Sequence, residues 1–235
     1  MDFMSSLFVI WFAGGILDVI FFLVAVGIPV LCFQAYRVMR EKKYLFYGGG
    51  FGLVAVSFLF EGAAMVSKLL VARTLPFAKP DELYEAIALG RSLQVGADLF
   101  FIVGLTLLLI VYLDLFDTQG ALAVLFLAAF ASVLSFGNII EMEVLEIGLL
   151  IGIVLVLVQR YRKNHRTGLT LLGFLLILIA ESSMIPFLLA LPFFGFPWPD
   201  HGNFLSNLIL LAGLIALNLS FLQVLHPWRK DPAST

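Results

Sequence analysis

Apolar runs of helix length alternate with short polar connections along the whole chain. A membrane-spanning helix needs about 20 mainly apolar residues. Seven stretches meet that requirement, roughly 16–37, 44–70, 88–113, 119–137, 140–160, 168–194 and 203–225. Ahead of the first, residues 7–13 are also apolar but end in Gly14-Gly15, which reads as a short interfacial lead-in or an extra turn of the same helix. The most polar connection opposite the basic loops is 74–85. Its Pro76, Pro80 and Asp81-Glu82-Leu83-Tyr84-Glu85 predict a loop followed by a surface helical turn.

Composition turns this pattern into a class. With 62% hydrophobic and 13% charged residues and a mean hydropathy of +1.07, the chain lies far from soluble domains, in which about half the residues are apolar. The expectation is an all-α integral membrane protein forming a single domain over 1–235, in the plasma membrane. The opening Met1-Asp2-Phe3-Met4-Ser5-Ser6 lacks the basic region of a cleavable signal, so the whole chain is treated as mature. Cys32 is the lone cysteine and reads as a small core residue.

Orientation follows from the basic residues. Arg37, Arg40, Lys42 and Lys43, then Arg160, Arg162, Lys163 and Arg166, then Arg229 and Lys230, put ten of the fourteen on one side. That side is cytoplasmic by the positive-inside rule, which sets the N-terminus outside and the C-terminus inside. Twelve of the sixteen carboxylates fall on the outer side or in the outer halves of helices, and a concave opening lined that way concentrates cations.

An internal repeat emerges when 18–37 is laid over 143–162. Val19, Gly27, Ile28, Gln34, Tyr36 and Arg37 fall on Val144, Gly152, Ile153, Gln159, Tyr161 and Arg162, with Asp18 over Glu143. With loop adjustments Glu61 lands on Glu181, Gly48 on Gly168, Asp98-Leu99 on Asn207-Leu208 and Gly104-Leu105 on Gly213-Leu214. The expected plan is a parallel three-plus-one-plus-three bundle: repeat one over about 16–116, a spacer helix at 119–137, and repeat two over about 140–225. This plan resembles the SWEET sugar transporters. Its helix count and orientation are also similar to microbial rhodopsins and to the seven-helix sensor regions of some kinases. The proline-glutamine signature of the SWEET relatives is absent, since Pro29 precedes Val30. Retinal is excluded because no lysine lies between Lys163 and Lys230 to form a Schiff base on the last helix.

Candidate chemistry centres on charges inside the apolar runs. Glu61 and Glu181 each sit in the middle of a spanning stretch, where a charge costs roughly 2.5–3.5 kcal/mol on insertion scales and therefore faces protein or a wet cavity. Asp98 and Asn207 fall at a similar depth, counted at about 1.5 Å per residue from the cytoplasmic ends. Together these four are the candidate substrate or proton site, with Glu61 and Glu181 as proton carriers. Lys68 and Arg91, each seven residues from Glu61 or Asp98, supply the competing explanation of structural ion pairs. Glu141, Glu143 and Glu146 open the fifth span, where a helix dipole favours acids. With Asp18, Asp200 and His201 they offer donors for a divalent cation at the outer mouth. None has metal-motif spacing, so no metal or cofactor is assigned.

Pro186 is expected to break the sixth span beside Ser182 and Ser183. Asn207 and Asn218 share a face of the last span, as path lining or helix glue. Gly48-Gly49-Gly50 reads as a headgroup cradle or a close-packing run, and Trp11, Trp198 and Trp228 as interface anchors. No triad order, phosphate loop or zinc-protease motif is present, so no enzymatic activity is expected. The function implied is a small-solute or cation carrier; the other class is a membrane sensor with an outer acidic pocket and a separate cytoplasmic effector. Expected partners are the bilayer and a small solute or cation, with no nucleic acid and room for homo-oligomers. The topology is checked by protease access: an epitope on Thr235 is protected from outside while one in the 76–85 loop is cut, and cleavage of the Thr235 epitope from outside contradicts the orientation.

Overall fold

The computed structural model describes residues 3–74, 80–115, 119–120, 124–125, 128, 139–183 and 204–230. Within a few of its helices the side chains of certain residues, among them Trp11, Lys68 and Trp228, also fall outside the description. So do Pro186, Trp198, Asp200, His201, most of the 119–137 stretch and most of the turn at 74–85. Among the described residues the chain is all-helical, with six long elements: α1 (Phe3–Met39), α2 (Lys43–Thr74), α3 (Pro80–Tyr112), α4 (Ile139–Lys163), α5 (Gly168–Ser182) and α6 (Phe204–Lys230). A short 3-10 turn, His165–Thr167, links α4 to α5.

Four stretches are long and apolar enough to cross a membrane: Gly14–Met39, Lys43–Ser67, Ile87–Tyr112 and Ser206–Leu225. The outward positions of these helices and of α4 and α5 are apolar too. Leu23, Phe33, Leu155, Ile179 and Leu219 are all exposed, which in water would be unfavourable but in lipid is the expected face. This is the construction of a membrane protein. The diglycine Gly14-Gly15 does not interrupt α1, which runs through it as one helix; both glycines instead lie against Met65 of α2.

Helix ends are closed by identifiable devices. Arg40 adopts a left-handed conformation (φ 57°) and its N–H donates to the Tyr36 carbonyl at 2.8 Å, ending α1. Asp114 does the same for α3 (φ 55°), with the Leu115 N–H donating back to Ile110 at 3.0 Å. Arg160 of α4 then donates to the Tyr112 carbonyl at 2.7 Å and to Asp114 at 3.1 Å, placing a cation where the α3 dipole is negative. The ends of α3 and α4 therefore lie together, at the pole that also holds Arg37, Arg40 and Lys43.

Contacts between elements close a ring in chain order. α1 packs on α2, α2 on α3, α3 on α4, α4 on α5, α5 on α6, and α6 returns to α1. Two close approaches in this ring have the same composition. Between α2 and α3, a Cβ on Gly104 would stand 2.8 Å from the Gly50 carbonyl oxygen and 2.9 Å from Val54; between α5 and α6, one on Gly213 would stand 2.9 Å from the Gly173 carbonyl oxygen and from Ile177. Leu108 and Leu217 cover Gly50 and Gly173 in the same manner. At the centre Phe51 and Phe174 meet with ring centroids 6.0 Å apart; Phe221 packs edge-on to Phe51 at 5.8 Å and Tyr112 edge-on to Phe174 at 5.7 Å.

The remaining seam is held by Asn218, whose amide donates to the Val24 carbonyl of α1 at 2.9 Å and to Leu214 at 3.0 Å. Asn218 is thus helix glue. A Cβ on Gly27 would meet its Oδ1 at 2.6 Å, while on the opposite seam Gly152 of α4 faces Leu109 of α3. Of the three consecutive glycines at 48–50, Gly50 makes the tight contact and Gly49 faces open space.

These distances set a stability test. Gly104→Ala and Gly213→Ala force backbone against backbone and lower stability by about 1–3 kcal/mol, the usual penalty of overpacking. Gly49→Ala and Gly148→Ala, with open space around them, leave it unchanged or slightly raised. Thermal unfolding in detergent compares the two pairs.

Candidate functional site

Each helix of the ring sends polar groups to one interior point. α1 supplies Asp18, α2 supplies Ser57 and Glu61, α3 supplies Gln94 and Asp98, α4 supplies Glu143 and Glu146, α5 supplies Glu181, and α6 supplies Ser206 and Asn207. They line a cavity of about 70 Å³, room for a few waters or a small ion, whose apolar lining includes Phe21, Phe58, Phe101 and Leu210. Counted from the basic ends of their helices at about 1.5 Å per residue, Asp98 and Glu181 lie about 20 Å in and Glu61 and Glu146 about 25 Å. Within a hydrocarbon core of about 30 Å, that depth lies between the midplane and the far boundary.

The neutral groups are held by short bonds. Ser206 donates to the Ala180 carbonyl at 2.8 Å, tying α6 to α5 beside Glu181. Ser57 donates to Val54 at 2.7 Å on its own helix, and Ser183 to Ala180 at 2.7 Å. The Gln94 amide approaches Asp98 at 3.4 Å. Asp18 and Glu146 are 3% and 6% exposed, so both are withdrawn from lipid and bulk water.

Charge is the cavity's defining property. Six carboxylates line it, and among its described lining residues none is Lys, Arg or His. One oxygen from each of Glu143, Glu146 and Glu181 lies within 4.8 Å of the others. At such spacing like charges cannot all persist without compensation, which must come as protons, a cation or both. All-oxygen donors at this density suit hard cations and protonated amines, and repel anions.

All four residues singled out from sequence, Glu61, Glu181, Asp98 and Asn207, lie on this cavity. From sequence Asp18, Glu143 and Glu146 offer donors at an outer mouth; in the structure they share the same chamber as Glu61 and Glu181, and Glu141 from that group is exposed on α4. Ser57, Gln94 and Ser206 were not singled out at all. A signal for part of this existed, since Asp18 and Glu143 align with each other and Glu146 follows Glu143 at the spacing of one helical face. Arg91 is exposed on α3 and does not line the cavity.

Comparison with protein-family models, with curated proteins and with solved structures finds no match. The site therefore stands on its own geometry.

With no basic side chain among the described lining residues, replacing one of six neighbouring carboxylates is expected to relieve repulsion. Glu61→Gln and Glu181→Gln are therefore expected to unfold at or above the wild-type temperature, since Gln fills the same volume and is less costly to bury. A loss of about 3–5 kcal/mol in both, the penalty of stranding a buried partner charge, would instead assign them to structural ion pairs. Differential scanning fluorimetry in detergent reads the outcome.

Proposed function

We propose that the protein is a small membrane carrier, not an enzyme, that passes a cation or small cationic solute through an intramembrane carboxylate site coupled to proton movement. The convergence of six carboxylates on one cavity, with no basic side chain among its described lining, carries this reading. Groups so costly to bury in a bilayer are held for a ligand or proton that neutralises them. Glu61 and Glu181 are the proton carriers in this scheme, Asp98 and Asn207 bind the solute beside them, and the plasma membrane is the expected location.

The architecture proposed with it is a seven-span bundle of two parallel three-helix units. Support comes from the ring order, in which α1, α2 and α3 meet their neighbours as α4, α5 and α6 meet theirs. The paired contacts Gly50–Gly104 and Gly173–Gly213, Phe51–Phe221 and Phe174–Tyr112, and Gly27–Asn218 and Gly152–Leu109 support it further. In this register Asp18 stands opposite Glu143, Phe21 opposite Glu146, Ala97 opposite Ser206 and Asp98 opposite Asn207, all on the cavity wall. Glu181 stands opposite Phe58, one turn away from the sequence pairing with Glu61. Loop lengths of different size in the two halves obscure that shift in the sequence.

A spanning segment between α3 and α4 fits the same scheme. Contacts run in one order along both helices, with Ile102 in a cluster with Met142, Leu109 against Gly152, and Tyr112 against Arg160. Two parallel neighbours need a connection that returns across the membrane, and 113–138 supplies about 39 Å of helix for a core of about 30 Å. Buried Ala128 packs into the Ile102–Met142 cluster on the way.

Flux into proteoliposomes tests the function. Uptake of a cation or amine that rises with an imposed proton gradient and falls at least about tenfold in Glu181→Gln is expected. Ligand binding without any flux, across cations and amines, would contradict a carrier and favour a sensor.

A further inference from the structure

The cavity has a subset whose geometry is narrower than the requirement for a carboxylate site in general. Glu143 and Glu146 are three residues apart on α4, so one helix face presents both, and Glu181 comes to meet them from α5. Their three oxygens lie within 4.8 Å of one another. Ligands on one coordination sphere are separated by at most twice the metal–oxygen distance, which is about 4.6–5.2 Å for calcium at 2.3–2.6 Å and about 4.2 Å for magnesium.

A second observation concerns Glu146 by itself. It is 6% exposed and lines the cavity, and among the described residues it makes no hydrogen bond or ion pair. The ionisable groups acting on it are Glu143, Asp98, Glu181 and Glu61, all of them acids. A carboxylate removed from water in this way and surrounded by its own sign lacks the partner that buried charges ordinarily have.

We infer that Glu143, Glu146 and Glu181 form a binding site for a hard divalent cation of the calcium or manganese type. This rests on the carrier reading in one respect only, since it names the solute of the same cavity. The donors decide the class: three carboxylates in reach of one point, carboxamide oxygens at Gln94 and Asn207 lining the same cavity, and no thiol or imidazole among the described lining. Oxygen-only sets favour Ca²⁺, Mn²⁺ and Mg²⁺ over zinc or copper, and separations of up to 4.8 Å are within the reach of Ca²⁺. Monovalent cations leave more of the site's negative charge uncompensated. The small cavity disfavours bulky organic cations.

The test is Mn²⁺ titration of the purified full chain, followed by the loss of the free-ion electron paramagnetic resonance signal. Wild type is expected to take up one Mn²⁺ at this site, displaced by Ca²⁺ and not by K⁺. Glu146→Gln is expected to weaken binding by at least about tenfold, as even the loss of supporting groups around metal ligands does. Glu41→Gln, which alters an exposed ion-pair partner of Lys43 outside the cavity, is expected to bind as wild type. Should Glu146→Gln not fold, as judged by its melting curve, Glu181→Gln carries the same comparison. Absence of Mn²⁺ uptake in wild type, or unchanged uptake in the folded variants, overturns the inference. The two readings fail separately: Mn²⁺ binding without flux removes the carrier and keeps the metal site, whereas proton-coupled flux of K⁺ or an amine without Mn²⁺ binding keeps the carrier and removes the metal site.

Discussion

A carboxylate taken out of water loses hydration that no apolar neighbour replaces, and this chain repeats that loss six times around one small chamber. Most of the structure is understandable as what makes such a chamber tolerable. The acids do not sit on lipid-facing surfaces. They are turned inward by the same faces that expose Leu23, Leu155, Ile179 and Leu219 to hydrocarbon. Because the helices form a ring, every element contributes a wall and every acid shares the same interior, so a ligand or proton entering it is felt by all of them at once.

Holding that ring together falls to packing, since the hydrophobic effect does little between helices that are already in lipid. The close approaches Gly50–Gly104 and Gly173–Gly213 bring backbones together on the two opposite sides, and the amide of Asn218 closes the seam between α1 and α6. Aromatic rings fill the axis below the cavity, with Phe51, Phe174, Tyr112, Phe221 and Tyr47 in mutual contact. This floor separates the acidic chamber from the basic end, where Arg160 caps α3 and Lys43 pairs with Glu41. Among the described residues the six cavity acids lie on one side of this aromatic cluster, and Arg37, Arg40, Lys43 and Arg160 on the other.

Much of this was legible in the sequence because hydropathy reports lipid contact directly. The positions of the six helices follow from it, and a charge inside an apolar run marks Glu61, Glu181 and Asp98 without any knowledge of the fold. What hydropathy does not report is which helices are neighbours. Glu143 and Glu146 lie near the start of α4, where the dipole already accounts for an acid, and Asp18 lies at the edge of the first apolar run, so nothing in their local sequence demands an interior partner. Only the ring order brings them to Glu61 and Glu181. Gly14-Gly15 leaves two readings open for a related reason: glycine pairs interrupt helices in water, yet here α1 continues through them as the same helix and they lie against Met65. The lone Asn218 had two readings until a neighbouring carbonyl, Val24, decided between them.

The proposed function requires the chamber to be wet, negative and reached from the end opposite the basic pole, and thiol labelling tests that requirement directly. In a chain with Cys32 replaced by Ala, Ser57→Cys and Ser206→Cys put small thiols on two different walls, while Ile215→Cys puts one on the lipid face. The account predicts that a small cationic thiol reagent, applied to the outer side of sealed vesicles, modifies both cavity cysteines. It also predicts that an anionic reagent of equal size reacts at least about tenfold more slowly, as an acid-lined site repels it, and that the Ile215 position stays unmodified by either. Equal rates with the two reagents, or labelling only from the basic side, would contradict it.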